Sequence, residues 1–274
     1  MQSDLVKIKF QFPSLSHKIT NQRELVGLLM EAMRSNGDSK YAGYLKEKDF
    51  HEDLLRHIGN TDIVLYRTPS LKQKRSIEKI IYATVKKCHK VLPHPDLPIF
   101  AFVYPWFPNI DNSVLFGGTT AIATYYTLHL FIDLRSYTQV SLKETIAHEW
   151  NHLVFYRHHP ERHYALRDHI LMEGLAEIFR EEVMGGKPAP WALALTGKEV
   201  QKQLELLKQK LHTKSMKIYR EVFFGNKEYK RWTGYSIGYR LVKEFRKKYP
   251  NISWGEIIKM RQKDILVTIK KNRA

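Results

Sequence analysis

Residues 148–152 read His148-Glu149-Trp150-Asn151-His152, which is the pattern H-E-x-x-H. On a helix, side chains at positions i and i+4 project from the same face one turn apart, so the two imidazoles can reach one small cation. Neutral imidazole suits Zn²⁺, and a catalytic zinc site keeps three protein ligands and an open position for water. The pattern therefore predicts a zinc site with His148 and His152 as ligands and Glu149 beside them.

The residues around this stretch predict that it lies on a helix. Ser141 and Glu144 form the sequence S-x-x-E, which is typical of a capped helix start. Apolar side chains recur along the following turns at Ile146, Ala147, Leu153 and Val154. This context makes the short motif more specific than its letters alone.

Two residues are candidates for the third ligand. His158 has the spacing of the extended motif H-E-x-x-H-x-x-G-x-x-H, but that motif needs a glycine where this chain has Phe155. Phenylalanine does not easily adopt the positive φ that such a turn requires. Glu173 is the better candidate, because it shares a face of the next predicted helix with Glu177. We expect Glu173 to bind the metal and Glu177 to accept the free N–H of a ligand imidazole. His169, one turn before Glu173, could also approach the cleft.

Four stretches together resemble the YjaZ-like family of predicted zinc-dependent proteases, which are gluzincin or thermolysin-like metallopeptidases. They are Ile146–His152 (IAHEWNH), Met172–Glu177 (MEGLAE), Pro190-Trp191 and Gly234–Tyr239 (GYSIGY). The resemblance covers about residues 95–245.

The resemblance implies a bacterial zinc-dependent peptidase with one Zn²⁺ per chain. The metal would be held by His148, His152 and Glu173. Peptide bonds would be hydrolysed by a metal-activated water, with Glu149 as the general base.

The same resemblance implies an α+β, zincin-like fold. We expect a small mixed sheet, the H-E-x-x-H helix and a mostly helical C-terminal half. The β-rich stretches are residues 99–103, 119–124 and 128–132. Residues 119–124 would form the edge strand above the cleft, where Thr119, Thr120 and Ala121 bind an extended peptide through main-chain hydrogen bonds.

The carbonyl oxygen of a peptide needs a protein donor as it gains negative charge. In enzymes that the chain resembles, a tyrosine or histidine of the helical half supplies this donor, and Tyr235 is the best local candidate. Tyr235 and Tyr239 lie on one face of a predicted helix, and Gly234 and Gly238 let that helix approach another backbone. Tyr239 or His212 could take the role instead.

The chain divides into two predicted parts. Residues 1–60 are interpreted as a helical accessory segment, with helices between residues 14 and 58. Residues 61–274 are expected to form the catalytic domain. Its sheet and motif helix would occupy about residues 61–160, and its helical half about residues 161–274.

Composition limits the other functions. The chain of 274 residues carries a net charge of +17, and residues 201–274 contribute +14 of it from 20 basic and 6 acidic side chains. No nucleic-acid motif accompanies these charges, so specific nucleic-acid binding is the weakest alternative. The single cysteine, Cys88, lies on the apolar face of a helix predicted over residues 70–91, and it leaves no cysteine pair for a disulfide or a zinc finger.

The start of the chain, Met1–Phe10, lacks the features of a secretory signal, and no stretch is apolar enough to span a membrane. We therefore expect a cytoplasmic protein whose partner is a peptide or protein substrate. The main alternative is a non-catalytic zinc-binding homologue that acts by binding a partner. The presence of Glu149 argues against that alternative, because a structural zinc site does not need a base.

Overall fold

The computed structural model describes residues 5–10, 27, 65–66, 69–107, 116–124, 127–160, 164–261 and 264–265. Within them it has a four-stranded sheet, a two-stranded sheet and seven helices, which confirms the predicted α+β class. None of the helices described there is both long and apolar enough to cross a membrane.

The elements are numbered along the chain. The strands are β1 (Val6–Phe10), β2 (Leu65–Tyr66), β3 (Ile99–Tyr104), β4 (Trp106–Phe107), β5 (Thr119–Ala123) and β6 (Thr127–Ile132). The helices are α1 (Leu71–Val91), α2 (Gln139–His158), α3 (Leu166–Met184), α4 (Gly197–Leu207), α5 (Met216–Phe224), α6 (Thr233–Lys248) and α7 (Trp254–Ile257).

The main sheet has the strand order β1-β3-β6-β5. Strands β1, β3 and β6 are parallel, and β5 runs antiparallel to β6. Among the described strands, β5 therefore lies at one end of the sheet. Strands β2 and β4 form the separate antiparallel pair.

Three predicted strands are confirmed, whereas strand β1 was not predicted. Strands β3, β5 and β6 reproduce the stretches 99–103, 119–124 and 128–132 to within one residue. Strand β1 lies inside the segment that we interpreted as helical, yet it pairs with β3. The helices predicted between residues 14 and 58 lie outside the described residues, apart from Gly27, and the division into two domains stays a prediction.

Helices α1 and α2 pack against each other and against the main sheet. Helix α1 begins after Ser70, whose hydroxyl accepts a 3.2 Å hydrogen bond from the Gln73 N–H, and it buries Cys88 as predicted. Burial raises the pKa of the Cys88 thiol to about 12, as expected for a cysteine in an apolar core. The Trp150 indole N–H donates to the Leu92 carbonyl at 2.9 Å and so joins α2 to the end of α1.

The predicted start of α2 is wrong by three residues. The N-cap is Thr138, whose hydroxyl accepts from the Ser141 N–H at 2.9 Å, so Ser141 lies inside the first turn. The Ser141 hydroxyl also donates to the Gly117 carbonyl at 2.6 Å. Glu144 does not cap the helix, because its carboxylate pairs with Arg180 at 2.8 Å. Ser141 thus holds the turn before β5 against the start of α2.

Helices α3 and α6 cross with their backbones in contact. A Cβ added at Gly174 would lie 2.2 Å from the Gly238 carbonyl oxygen, and one added at Gly238 would lie 2.0 Å from the Ile170 carbonyl oxygen. Gly234 faces the ring of Phe223 instead, with an added Cβ at 2.6 Å. The expected close approach of a backbone is therefore found at Gly238, and it fixes Tyr235 of α6 relative to Glu173 of α3.

We expect Gly238→Ala to lower the free energy of unfolding by about 1–3 kcal/mol or more, because the added methyl group meets backbone atoms that no rotamer change can move. Chemical denaturation would measure the change. Gly255→Ala on α7 is the matched control, since an added Cβ there meets nothing within 4 Å. A loss of stability in Gly255→Ala equal to that in Gly238→Ala would contradict the close helix crossing as the cause.

Candidate metal centre

Three side-chain atoms converge between α2 and α3. His148 Nε2 and His152 Nε2 lie 3.1 Å apart. Glu173 Oε2 lies 3.2 Å from His148 Nε2 and 3.5 Å from His152 Nε2. His148, Glu149 and His152 also offer ligand atoms within 4.8 Å of one another. The structure thus brings together the two histidines of the motif and the carboxylate predicted as the third ligand.

This triangle fits a zinc ion. Bond lengths of about 2.0–2.1 Å and tetrahedral angles place the ligand atoms of zinc about 3.3 Å apart, which is close to the three separations found here. Two imidazoles and one carboxylate are a donor set that zinc accepts while keeping a fourth position open. His152 and Glu173 are buried, at 5% and 9% exposure, so few water molecules compete for these donor atoms.

Glu177 lies behind His148, on the side away from the triangle. Its Oε2 is 3.5 Å from His148 Nδ1, and its Oε1 accepts hydrogen bonds from Arg180 at 2.7 Å and from the Ala189 main chain at 2.8 Å. Arg180 also pairs with Glu144 at 2.8 Å. Because Glu177 is held from two sides, it can fix the orientation and tautomer of the His148 ring.

The charges of the site favour ionised carboxylates. Burial alone would raise the pKa of Glu173, but the positive charges of His152 and His148 outweigh burial and lower it. Burial would likewise raise the pKa of Glu177, but His148 and Arg180 lower it to about 2. For His148, burial would lower the pKa, and the carboxylates of Glu173 and Glu177 raise it to about 10. The pocket therefore stabilises positive charge at the point where the three atoms meet.

Glu149 accepts a backbone hydrogen bond from Ala123 at the end of β5. Burial raises the pKa of Glu149, while the nearby His152 and His148 and a backbone hydrogen bond from Ala123 act in the opposite direction. A carboxyl group with a raised pKa beside a metal site is suited to taking and returning a proton. Its contact with the end of β5 also fixes where along that strand any reaction would occur.

Strand β5 presents part of its main chain away from β6. The Thr124 N–H donates to Thr127 at one end and the Asp133 N–H donates to Gly118 at the other, so even-numbered residues between them face β6. The N–H and C=O groups of Thr119, Ala121 and Ala123 therefore point outward. The main-chain groups of Thr120, also predicted to bind a peptide, face β6 instead, and its part in substrate binding stays a prediction.

Tyr235 is buried within range of the charges of Glu173 and Glu149, whereas the alternative donors have partners elsewhere. Burial raises the pKa of Tyr235 well above its usual range, and the charges of Glu173 and Glu149 add to the effect. The Tyr239 hydroxyl donates to Glu181 at 2.8 Å. His212 is exposed, with Nδ1 2.7 Å from an Arg167 guanidinium nitrogen.

Of the two other histidines that could approach the site, only His169 does so. His158 stays at the end of α2, because the helix continues through the buried Phe155 without a turn. His169 does approach the site: burial lowers its pKa to about 4, and the charges of Glu173 and His152 both act on it.

Two residues of this region were not predicted from the sequence. Arg180 is buried, at 3% exposure, and its carboxylate partners lie on both α2 and α3, so no local pattern identifies it. Ala123 contributes only main-chain groups. The alternation of paired and outward residues along β5 is the signal that could have identified Ala123, once the hairpin register is known.

The chain belongs to the family described as predicted Zn-dependent proteases (DUF2268), whose model matches residues 77–267. This confirms the family resemblance. Among curated proteins, the uncharacterized protein YjfC of Bacillus subtilis (strain 168) is 25% identical over 164 residues, which are 55% of this chain and 53% of YjfC. The chain thus spans about half the length of that relative. No solved structure gives a significant match.

We expect Glu177→Gln to weaken zinc binding about 10–100-fold, because the neutral amide no longer fixes His148 as strongly as the carboxylate does. Competition with a chelating dye would measure the affinity. Glu181→Gln is the control, since Glu181 lies one turn further along α3 and accepts from Tyr239 instead. Unchanged zinc affinity in Glu177→Gln would show that Glu177 does not position the ligand.

Proposed function

We propose that this protein is a zinc-dependent peptidase with a zincin-like fold. The observation that carries the proposal is the triangle of His148 Nε2, His152 Nε2 and Glu173 Oε2, with sides of 3.1, 3.2 and 3.5 Å. Membership of a family of predicted Zn-dependent proteases supports the same reaction class.

His148, His152 and Glu173 would hold one zinc ion per chain. When bound there, zinc would supply a Lewis acid that lowers the pKa of a water molecule and polarises a peptide carbonyl. Glu177 and, through it, Arg180 would keep the His148 ring in the orientation that leaves Nε2 free for the metal.

Glu149 would act as the general base. Its buried carboxylate takes a proton from the attacking water, holds it while the peptide bond breaks, and returns it to the leaving amine. Burial raises the pKa of Glu149, so the protonated form that this cycle requires costs less than it would for an exposed glutamate.

Tyr235 would donate a hydrogen bond to the carbonyl oxygen of the scissile bond. Two findings support this role: α6 is fixed against α3 at Gly238, and the charges of Glu173 and Glu149 both act on the Tyr235 hydroxyl. A positioned donor of this kind stabilises the negative charge that develops on the oxygen.

The outward main-chain groups of β5 would bind an extended peptide. The position of β5, antiparallel to its neighbour and next to the motif helix α2, supports this proposal. We keep residues 61–274 as the proposed catalytic domain, with β1 added to its sheet. A peptide or protein substrate and a cytoplasmic location complete the proposal.

Metal analysis and a base variant test this function together. We expect about one zinc per chain in the wild type and little zinc in His148→Ala. Glu149→Gln should keep the zinc but lower kcat/KM for peptide cleavage at least about 100-fold, because it cannot accept a proton. Cleavage by Glu149→Gln at the wild-type rate would contradict the mechanism. Zinc binding without cleavage of any peptide by the wild type would favour the non-catalytic alternative.

We expect Tyr235→Phe to lower kcat about 100-fold with little change in KM, since the lost hydrogen bond matters mainly when charge develops on the carbonyl oxygen. Steady-state kinetics on one peptide would measure both constants. Tyr239→Phe is the matched control on the same helix, because its hydroxyl is bonded to Glu181. A larger loss of kcat in Tyr239→Phe than in Tyr235→Phe would reverse the assignment.

A further inference from the structure

Strand β5 and helix α2 run side by side in the same direction. At the start of the strand, the Thr119 hydroxyl lies 2.9 Å from the Thr145 hydroxyl of α2. At its end, a backbone hydrogen bond from Ala123 reaches the carboxylate of Glu149. These two contacts place the proposed base at one end of β5 rather than at its middle.

The length of β5 that can pair with a peptide therefore lies on one side of the base. From Ala123 back to Thr119 the strand spans about 13 Å, at about 3.3 Å per residue. Along it, Ala121 offers both an N–H and a C=O outward, and Thr119 offers a C=O, while its N–H donates to Phe116 at 3.4 Å. This is enough main chain to hold three or four residues of a peptide.

On the other side of the base, β5 ends in a turn, and aromatic rings follow one another along α2. The Thr124 N–H donates to the Thr127 carbonyl at 2.9 Å, which closes the hairpin one residue after Ala123. Along α2, the ring of Tyr156 lies 6.2 Å from that of His152, one turn further from Thr145. Ring contacts continue from there through Tyr164 and His169 to Tyr219.

Strand polarity decides which half of a peptide meets β5. Antiparallel pairs are slightly more stable per residue than parallel pairs, so a peptide adding to β5 would run opposite to it. With its scissile bond near Glu149 and Ala123, the residues C-terminal to that bond extend back toward Thr119. The residues N-terminal to the bond extend past the end of the strand.

We propose that the protein binds its substrate one-sidedly, with main-chain pairing to β5 only for residues C-terminal to the scissile bond. The inference rests on the proposed peptidase function and names a substrate class for it. The substrates are extended peptides that continue at least three residues beyond the cleaved bond, whereas the length before that bond matters little.

Peptides of graded length test this asymmetry without altering the protein. A peptide that the zinc-loaded wild type cleaves at one bond, mapped by mass spectrometry, is shortened or extended with alanine from either end, with both ends blocked. We expect extension from one to three residues after the bond to raise kcat/KM about tenfold or more, from the added hydrogen bonds. Extension before the bond, beyond the first residue, should change it less than about threefold.

N-methylation supplies a matched control within the same peptide. Because paired and unpaired residues alternate along a strand, methylation after the bond should lower kcat/KM about tenfold at one position and leave the adjacent position within about threefold. Methylation before the bond should show no such alternation.

The outcomes separate this inference from the function on which it rests. Cleavage that gains as much from extension before the bond as after it, or methylation effects without alternation, would overturn the one-sided pairing alone. If the zinc-loaded protein cleaves no peptide of a broad library, the peptidase proposal fails and this inference falls with it.

Discussion

The structure around the candidate site depends on one electrostatic constraint, which is that two buried carboxylates on α3 need positive charge close by. Burial of an ionised carboxylate is costly unless it is paired and hydrogen-bonded. Glu173 meets this need at the two imidazoles of α2, and Glu177 meets it at His148 and Arg180. A divalent cation at the same point satisfies the constraint better than protonated histidines do, because it binds both imidazoles and the carboxylate at once.

The helix crossing connects this site to the rest of the fold. Gly174 directly follows Glu173, and its backbone touches α6 at Gly238, so the position of the carboxylate depends on how closely these two helices pack. On the other side, Ser141, Thr145 and Glu149 of α2 each contact β5 or the turn before it. Helix α2 is thus held between the strand proposed to bind substrate and the helix proposed to complete the metal site.

Local spacing predicted the parts of this arrangement that one element determines. The i and i+4 separations of His148 and His152, and of Glu173 and Glu177, follow from helix geometry, and the limits of α1 follow from apolar periodicity. Interactions between distant segments were missed. Arg180 was missed because its partner Glu144 lies on another helix. Glu144 was wrongly assigned to a helix cap because this contact with Arg180 cannot be read from the local sequence. The pairing of β1 with β3 is equally non-local, although the alternation of Val6, Ile8 and Phe10 with lysines was a signal for a strand.

Anomalous diffraction at the zinc absorption edge, from crystals of the metal-loaded protein, would show directly which residues bind the metal. We expect one peak per chain, bonded at about 2.0–2.2 Å to His148 Nε2, His152 Nε2 and a carboxylate oxygen of Glu173. A zinc peak bound to the two histidines with Glu173 out of reach, or a peak at residues outside this triangle, would contradict this expectation.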